Sequence, residues 1–156
     1  MEIKNFHSRD DFVLAAAIRA EKLTLDDVTS DVSVTVKGTT ITDGDLKIKN
    51  SSSKLIVEDN IVEKGNLVVE KISTTTTTVT TPDVDDIIIT GNTVSGNDDN
   101  LKIKDLNIGG KLTIQNNQVE DGYLIVEDNV IGGAYVMQDN VLSKGLAWKD
   151  TIAASY

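Results

Sequence analysis

The side chains best suited to catalysis are few in this sequence. Its only histidine is His7, and its only arginines are Arg9 and Arg19, all three near the start. The chain has no cysteine, which excludes disulfides, thiolate zinc sites and cysteine nucleophiles. A Ser/His/Asp arrangement would have to use His7. We therefore predict that the protein is not an enzyme and that it binds no cofactor.

Two acidic pairs are the remaining candidates for chemistry. Asp85–Asp86 and Asp98–Asp99 both lie close to expected turns. Such pairs could supply the acid and base of a glycosidase or the oxygen ligands of calcium. Neighbouring acids in turns are more often solvated loop residues, so we predict no catalytic pair and no metal site here.

The composition limits the classes of partner. The chain has 25 acidic and 15 basic residues and a formal net charge of −10, which argues against nucleic-acid binding. No apolar run approaches the roughly 20 residues that span a bilayer, so no membrane partner is expected. Acidic residues surround the short apolar stretch near the start, and we predict synthesis in the cytoplasm without a signal peptide.

The sequence repeats one strand-like segment five times. In this segment the first, third and eighth positions are apolar, the sixth is polar, and the eleventh is glycine in four of the five. The segments begin at Val34, Leu55, Ile87, Leu112 and Tyr135. Each is followed by a second apolar run, and these runs begin at Leu46, Leu67, Leu101, Leu124 and Leu146. The segments therefore begin 21 to 32 residues apart. Repeats of this length are typical of solenoids, whose coils bury their apolar faces only against neighbouring coils.

Apolar and polar residues alternate within each run, so the runs are predicted to be strands with their apolar side chains inside. The fourth position of the second run alternates in charge along the chain, as Lys49, Glu70, Lys104, Glu127 and Lys149. Coils of a parallel stack lie about 4.8 Å apart. Each lysine is therefore expected beside a glutamate, and each such pair contributes roughly 0.2–1 kcal/mol.

Two further columns predict the turns. The sixth position of the repeat is occupied by Thr39, Asn60, Asn92, Asn117 and Asn140. Asparagine accepts left-handed backbone angles, and stacked asparagine amides can hydrogen-bond to one another. The eleventh position is occupied by Gly44, Gly65, Gly122 and Gly145, with Asn97 as the exception. These glycines are predicted to take positive φ.

The apolar pairs, the asparagine column and the coil length together resemble the single-stranded right-handed parallel β-helix of the pectate-lyase-like type. The resemblance covers residues 32–148. It implies an all-β fold, a right-handed parallel β-helix of about five coils with a short N-terminal helical segment. The fold hosts many functions, so the resemblance says little about chemistry.

The chain is divided into an N-terminal segment, residues 1–30, and the β-helix, residues 31–156. Ser8 and Asp11 have the spacing of a capping box, so a helix is predicted in the segment "FVLAAAIRAEKL". The helix is expected to cover one end of the solenoid or to dock on a larger body. Its candidate docking residues are Phe12, Leu14 and Ile18. Trp148 has inward phase and is expected to cover the other end.

Outward positions of two strands carry apolar side chains, which indicates a partner surface. The stripe consists of Ile56, Ile88 and Val136, with Val68 and Ile125 on the neighbouring face. We predict self-association through it, with a trimer favoured. The long unit also contains a Thr-rich insertion, residues 73–86. Most such insertions are decoration, although loops that leave a rigid solenoid also carry binding sites.

Three functions are open. The first is a non-enzymatic structural or attachment protein of a virion, such as a capsid decoration protein or spike component, because β-helices recur in phage tailspikes and decoration proteins. The second is a self-polymerising β-helix that resembles bactofilins, although the expected end caps oppose it. The third is a carbohydrate-binding or degrading protein, which would need more exposed aromatic side chains than this chain offers.

Overall fold

The computed structural model describes residues 1–15, 18–74 and 85–153. This part of the chain is an all-β parallel solenoid that contains no helix. Its strands are Glu2–Ser8 (β1), Phe12–Ala15 (β2), Arg19–Ala20 (β3), Leu23–Ser30 (β4), Ser33–Lys37 (β5), Thr40–Ile41 (β6), Leu46–Lys49 (β7), Lys54–Glu58 (β8), Ile61–Glu63 (β9), Leu67–Glu70 (β10), Asp85–Thr90 (β11), Thr93–Ser95 (β12), Leu101–Lys104 (β13), Asn107–Ile108 (β14), Lys111–Gln115 (β15), Gln118–Glu120 (β16), Tyr123–Glu127 (β17), Val130–Ile131 (β18), Tyr135–Gln138 (β19), Val141–Leu142 (β20), Gly145–Lys149 (β21) and Ile152–Ala153 (β22).

Equivalent strands of successive coils stack into parallel sheets. Sheet 1 has the order β1-β4-β7-β10-β13-β17-β21, sheet 2 the order β2-β5-β8-β11-β15-β19, and sheet 3 the order β3-β6-β9-β12-β16-β20. A short fourth sheet, β14-β18-β22, lies between sheets 1 and 2 in the later coils. One pass through sheets 1, 2 and 3 makes one coil, so coil 1 is β1 to β3 and β21 begins a seventh turn. The solenoid therefore has about six coils, one more than the sequence predicted.

The predicted register is confirmed in both repeated runs. Val34 pairs with Leu55, Leu55 with Ile87, Ile87 with Leu112, and Leu112 with Tyr135. In sheet 1, Leu46, Leu67, Leu101, Leu124 and Leu146 form one column. The inward residues between these positions are leucine, isoleucine and valine, and those of the middle coils are fully buried. Alternation with a period of two thus places a continuous aliphatic core on the axis.

The predicted N-terminal helix is wrong. Within residues 1–30 the described residues form the three strands of coil 1 and strand β4 of coil 2. Phe12 pairs with Val34 and Leu14 with Val36, so both point toward the core although they are only half-buried. Alanines favour a helix locally, but alternate apolar residues that continue an existing sheet outweigh that preference. Ala16 and Ala17 lie outside the described residues.

The asparagine column forms the predicted ladder. Thr39 Oγ1 donates to Asn60 Oδ1 at 2.8 Å, and Asn60 Nδ2 donates to Asn92 Oδ1 at 3.0 Å. Asn92 Nδ2 then donates to Asn117 Oδ1 at 2.9 Å, and Asn117 Nδ2 to Asn140 Oδ1 at 3.0 Å. The side chains of Asn60, Asn92 and Asn117 are buried. Each amide also donates to a backbone carbonyl, so the ladder fixes the corner between sheets 2 and 3.

Backbone strain at that corner lies one residue earlier than the sequence suggested. The left-handed residues are Gly38, Asp59, Gly91, Asn116 and Asp139, with φ between 53° and 65°. The ladder residues follow them and keep ordinary backbone angles. This arrangement separates two roles, because one residue makes the bend while the next ties the coils together.

The glycine column has a different cause from the one predicted. Of Gly44, Gly65, Gly122 and Gly145, only Gly145 has positive φ. A Cβ on Gly65 would overlap the carbonyl oxygen of Gly44, and a Cβ on Gly122 would overlap that of Asp99. Gly65 and Gly122 therefore need glycine because successive coils approach closely at the corner between sheets 3 and 1.

Candidate interaction surfaces

Sheet 1 carries a column of alternating charge along the whole length of the solenoid. The predicted register of Lys49, Glu70, Lys104, Glu127 and Lys149 is confirmed. The structure extends this column by two positions, because Asp26 pairs with Lys49 and Lys4 pairs with Asp26. Seven positions that alternate in sign leave a lysine at each end.

Glu70 is the centre of this column. Its carboxylate lies 2.7 Å from Lys47 Nζ and 3.2 Å from Lys104 Nζ, which joins three consecutive coils. The side chain is only 8% exposed. Desolvation raises the pKa of Glu70, but hydrogen bonds from Lys47 and Lys104 lower it more, so the net pKa lies below its ordinary value. The carboxylate is thus charged at neutral pH and holds the outer surface of the middle coils.

The predicted apolar stripe lies along sheet 2. Ile56 pairs with Ile88, and both are half-buried on the outward face. Val136 is also half-buried, but Thr113 separates it from Ile88 in the column. Val13, in coil 1, continues the stripe at its other end and is 52% exposed. The outward positions of the stripe are therefore stacked in one column, but threonines separate its apolar side chains.

The two predicted residues on sheet 1 differ from each other. Val68 lies between Lys47 and Lys102 in its column and is only 6% exposed, so a partner could not reach it easily. Ile125 lies next to Lys102 and Ala147 and is half-buried. The alternation along the strand correctly placed Val68 on the outward face. Alternation alone does not show that long neighbouring side chains cover a short one.

The N-terminal end of the solenoid presents half-buried apolar side chains. The Phe6 and Phe12 rings lie 5.3 Å apart, and Phe6 is 44% exposed. Leu14 also packs against the core. Ile18 is half-buried, and its carbonyl accepts a hydrogen bond from the Thr40 backbone at 2.9 Å. The structure thus brings Phe12 and Leu14 together as part of the core's N-terminal surface.

The C-terminal end of the solenoid likewise presents partly exposed apolar side chains. Trp148 pairs with Val126 at an inward position, as predicted, and its ring lies 4.9 Å from that of Tyr135. Trp148 is 36% exposed and Tyr135 is 50% exposed. The two rings cover part of the core but remain open to a partner.

A polar groove of about 390 Å³ lies at the corner between sheets 1 and 2. His7 Nδ1 lies 3.0 Å from Thr29 Oγ1, and its Nε2 lies 3.3 Å from Asp31 Oδ1. Thr29, His7 and Asp31 therefore follow the order of the nucleophile, base and acid of a catalytic triad. However, the side chains of His7 and Asp31 are 55% and 61% exposed. Water at such a site weakens the electrostatic stabilisation that catalysis requires. The contacts instead tie coil 1 to coil 2.

Sequence reasoning missed this cluster because Thr29 lies 22 residues beyond His7. The available signal was the register of the first coil, which places His7 beside Thr29 in sheet 1. Dividing residues 1–30 from the β-helix concealed that signal.

The acidic pairs have separate surroundings. Asp86 Oδ2 accepts hydrogen bonds from Thr74 Oγ1 and the Gly110 backbone, both at 2.6 Å. Asp98 forms an ion pair with Lys144, which lowers the pKa of Asp98. Desolvation raises the pKa of Asp99. Among the described residues, no group of three or more His, Asp or Glu side chains is placed to hold a metal ion.

Comparisons with protein-family models, with curated proteins and with solved structures gave no match. Within the described part of the chain, no helix has the length and apolar character needed to cross a membrane.

Proposed function

We propose that this chain is a non-enzymatic structural or attachment protein of a larger assembly, with a virion shell as the favoured partner. Coil 1 would dock on that shell, and the outward face of sheet 2 would join copies of the chain into a trimer. Residence in a virion after synthesis in the host cytoplasm follows from the same proposal.

The observation that carries the proposal is the use of the buried polar groups. In the described residues, no buried side-chain nitrogen or oxygen lacks a hydrogen-bond partner. The buried asparagines Asn60, Asn92, Asn117 and Asn129 all bond to neighbouring coils. A rod gains rigidity when hydrogen bonds join every coil to the next, as these asparagines do, and this rigidity supports a structural role.

The stripe on sheet 2 supports self-association. Ile56 and Ile88 lie side by side at the middle of the rod, so a copy placed along this face would cover both. Sheet 1, by contrast, carries lysines and acids on its outward face, which makes that face less suitable for a dry contact.

Light scattering after size-exclusion chromatography tests this face. We expect the unmodified chain to be a closed trimer. Ile88→Lys should convert it to a monomer, because the new ammonium group would lose its water in the contact. Thr93→Lys is the matched control, since Thr93 occupies an outward position of the same coil on sheet 3.

The control should leave the trimer intact, and circular dichroism should show the same strand content in all three proteins. A monomeric unmodified chain, or equal disruption by both variants, would contradict the role of sheet 2. Proteomic analysis of purified particles from cultures that make the chain tests the virion location, where we expect a fixed ratio to the shell protein.

A further inference from the structure

We propose that the C-terminal end of the solenoid binds an extended strand of another protein, which adds to the edge of β19 as the seventh strand of sheet 2. The added strand carries apolar side chains at its first and third positions and a side-chain oxygen at its sixth. This inference concerns the end of the rod opposite to coil 1 and does not use the outward face of sheet 2, so it does not rest on the proposed function.

The last turn of the solenoid is incomplete. Sheet 1 contains seven strands and ends at β21, whereas sheets 2 and 3 contain six and end at β19 and β20. β22 extends the seventh turn only as far as the short fourth sheet. Among the described residues no strand covers β19, so a place one strand deep, about 4.8 Å, is open beside the end of the turn. Unpaired backbone groups on such an edge form a template for another strand.

The free edge of β19 presents its backbone donors as the inner strands do. One coil earlier, the Leu112 N–H donates to the Ala134 carbonyl at 3.1 Å. Leu112 pairs with Tyr135 and Ile114 with Met137, so the N–H groups of Tyr135 and Met137 point toward the open place. A strand that runs parallel to β19 would accept hydrogen bonds from both groups.

The asparagine ladder ends at the same place. Asn117 Nδ2 and the Asn117 backbone N–H each donate to Asn140 Oδ1 at 3.0 Å. Asn140 Nδ2 donates to the Ile114 carbonyl, but among the described residues no oxygen of a following coil accepts from it or from the Asn140 backbone N–H. A side-chain oxygen at the sixth position of an added strand would accept from both donors and continue the ladder.

The side chains around the open place fit an apolar strand. Tyr135 and Met137 point inward from β19, and Trp148 does so from β21. Tyr135 is 50% exposed and Trp148 is 36% exposed, whereas Leu112, the equivalent of Tyr135 in the preceding coil, is fully buried. Apolar residues at the first and third positions of an added strand would cover Tyr135 and Met137 and complete this end of the core.

The occupant is not the N-terminal coil of another copy of this chain. A copy whose β1 paired with β21 would have its β2 two places beyond β19, and the open place would stay empty. A copy whose β2 paired with β19 would need its β1 where β21 already lies. Ala17 also stands at the sixth position of that coil and has no side-chain oxygen. A single strand from a different polypeptide meets these requirements by β-augmentation.

Titration of the full chain with a synthetic peptide tests this site. The peptide has the sequence of residues 111–122, KLTIQNNQVEDG, with both ends capped. Counted from its leucine, it has apolar residues at the first and third positions and asparagine at the sixth. Trp148 is the only tryptophan of the chain, and the peptide has none, so tryptophan emission reports burial beside the bound strand. We expect saturable binding with a shift of the emission to shorter wavelength.

Three modified peptides give the matched comparison on the unmodified chain. Backbone groups alternate between the two sides of a strand, so the threonine N–H of the peptide faces β19 and the isoleucine N–H faces solvent. N-methylation at the threonine should weaken binding at least about tenfold, whereas N-methylation at the isoleucine should change the affinity by less than about twofold. Alanine in place of the second asparagine should weaken binding about fivefold, because Asn140 would lose its acceptor.

Variants of the chain locate the site. Met137→Pro removes an N–H from the free edge of β19 and should abolish binding. Ala15→Pro is the control, since Ala15 lies on the free edge of β2 at the opposite end, and circular dichroism should show the same strand content in both variants. Ile88→Lys should bind the peptide as the unmodified chain does, so failure of the outer-face trimer and failure of this site give different results.

The inference is overturned by any of three outcomes. These are the absence of saturable binding, equal affinities of the two N-methylated peptides, and equal loss of binding in the two proline variants. The peptide comparison uses the unmodified chain, so it decides the matter even if Met137→Pro does not fold.

Discussion

The middle coils and the terminal coils of this solenoid follow the same template but differ in what completes them. In coils 2 to 5 the inward positions are aliphatic and buried between two neighbours, as Leu67 and Leu101 are. In the terminal coils several of the same positions are aromatic and partly exposed, such as Phe12 and Tyr135. A repeat therefore has a stable core only where it has a neighbour on each side, and the ends are where the chain can gain from a partner.

The largest expected difference between these regions is in the asparagine ladder. Asn92 in coil 4 donates to Asn117 and to two backbone carbonyls, and it accepts from Asn60. Asn92→Ala would leave several buried groups without partners, so we expect the free energy of unfolding to fall by about 4 kcal/mol. Asn140→Ala, near the open end, should lower it by only about 1 kcal/mol, because water can replace the lost bonds.

Urea denaturation of both variants measures this difference. Asn140 is the matched control because it belongs to the same ladder but has a partner on one side only. Equal losses in the two variants would show that exposure at the end does not matter, and the contrast between middle and terminal coils would fail.

Much of the middle of the molecule could be predicted from sequence. The repeated apolar pairs fixed the register of sheets 1 and 2, and the asparagine column predicted the ladder. Coil 1 could not be found this way, because Lys22 stands where later repeats have glycine and Ala17 stands where they have asparagine. Without those two signals, the capping-box spacing of Ser8 and Asp11 suggested a helix.

The corners were only partly predictable. Sequence showed that Gly65 and Gly122 recur at one position, but positive φ and close approach between coils both favour glycine. Only the distance between coils decides between the two causes. Two other polar ladders were missed because their residues recur in too few coils to form an obvious column. One contains Asn129, and the other is the series Asp45–Asn66–Asn100.

Glycine substitutions sharpen the comparison between crowded and open corners. Gly65→Ala would force the Cβ against the Gly44 carbonyl, so coils 2 and 3 must separate locally. We expect a loss of about 2–3 kcal/mol in the free energy of unfolding. Gly109→Ala is the control, because no atom lies within 4 Å of its added Cβ, and its stability should change by less than about 0.5 kcal/mol.

Thermal denaturation of the two glycine variants distinguishes the causes. A small effect for Gly65→Ala would mean that the corner can relax, and glycine there would then need another explanation. A large effect for Gly109→Ala would show that glycine is required at corners regardless of space.

The smallest expected effect concerns the charge column and depends on pH. The pKa of Glu70 in the folded chain lies below its ordinary value of 4.5, because Lys47 and Lys104 stabilise the carboxylate. Its contribution is therefore present above pH 4.5 and is lost as pH falls through the lowered pKa. At pH 7 we expect Glu70→Gln to reduce the free energy of unfolding by about 1 kcal/mol. Below the folded pKa the unmodified glutamate is protonated too, so the two proteins should become equally stable.

Urea midpoints measured between pH 2 and pH 7 test this, with Glu58→Gln as the control. Glu58 lies 3.4 Å from Lys37, but both side chains are more exposed than Glu70, so its replacement should change stability by less than about 0.5 kcal/mol at any pH. If Glu70→Gln reduced the free energy of unfolding as little as Glu58→Gln at pH 7, the alternating charges would serve only to keep like charges apart on adjacent coils. The middle coils would then owe their stability to the aliphatic core and the asparagine ladder.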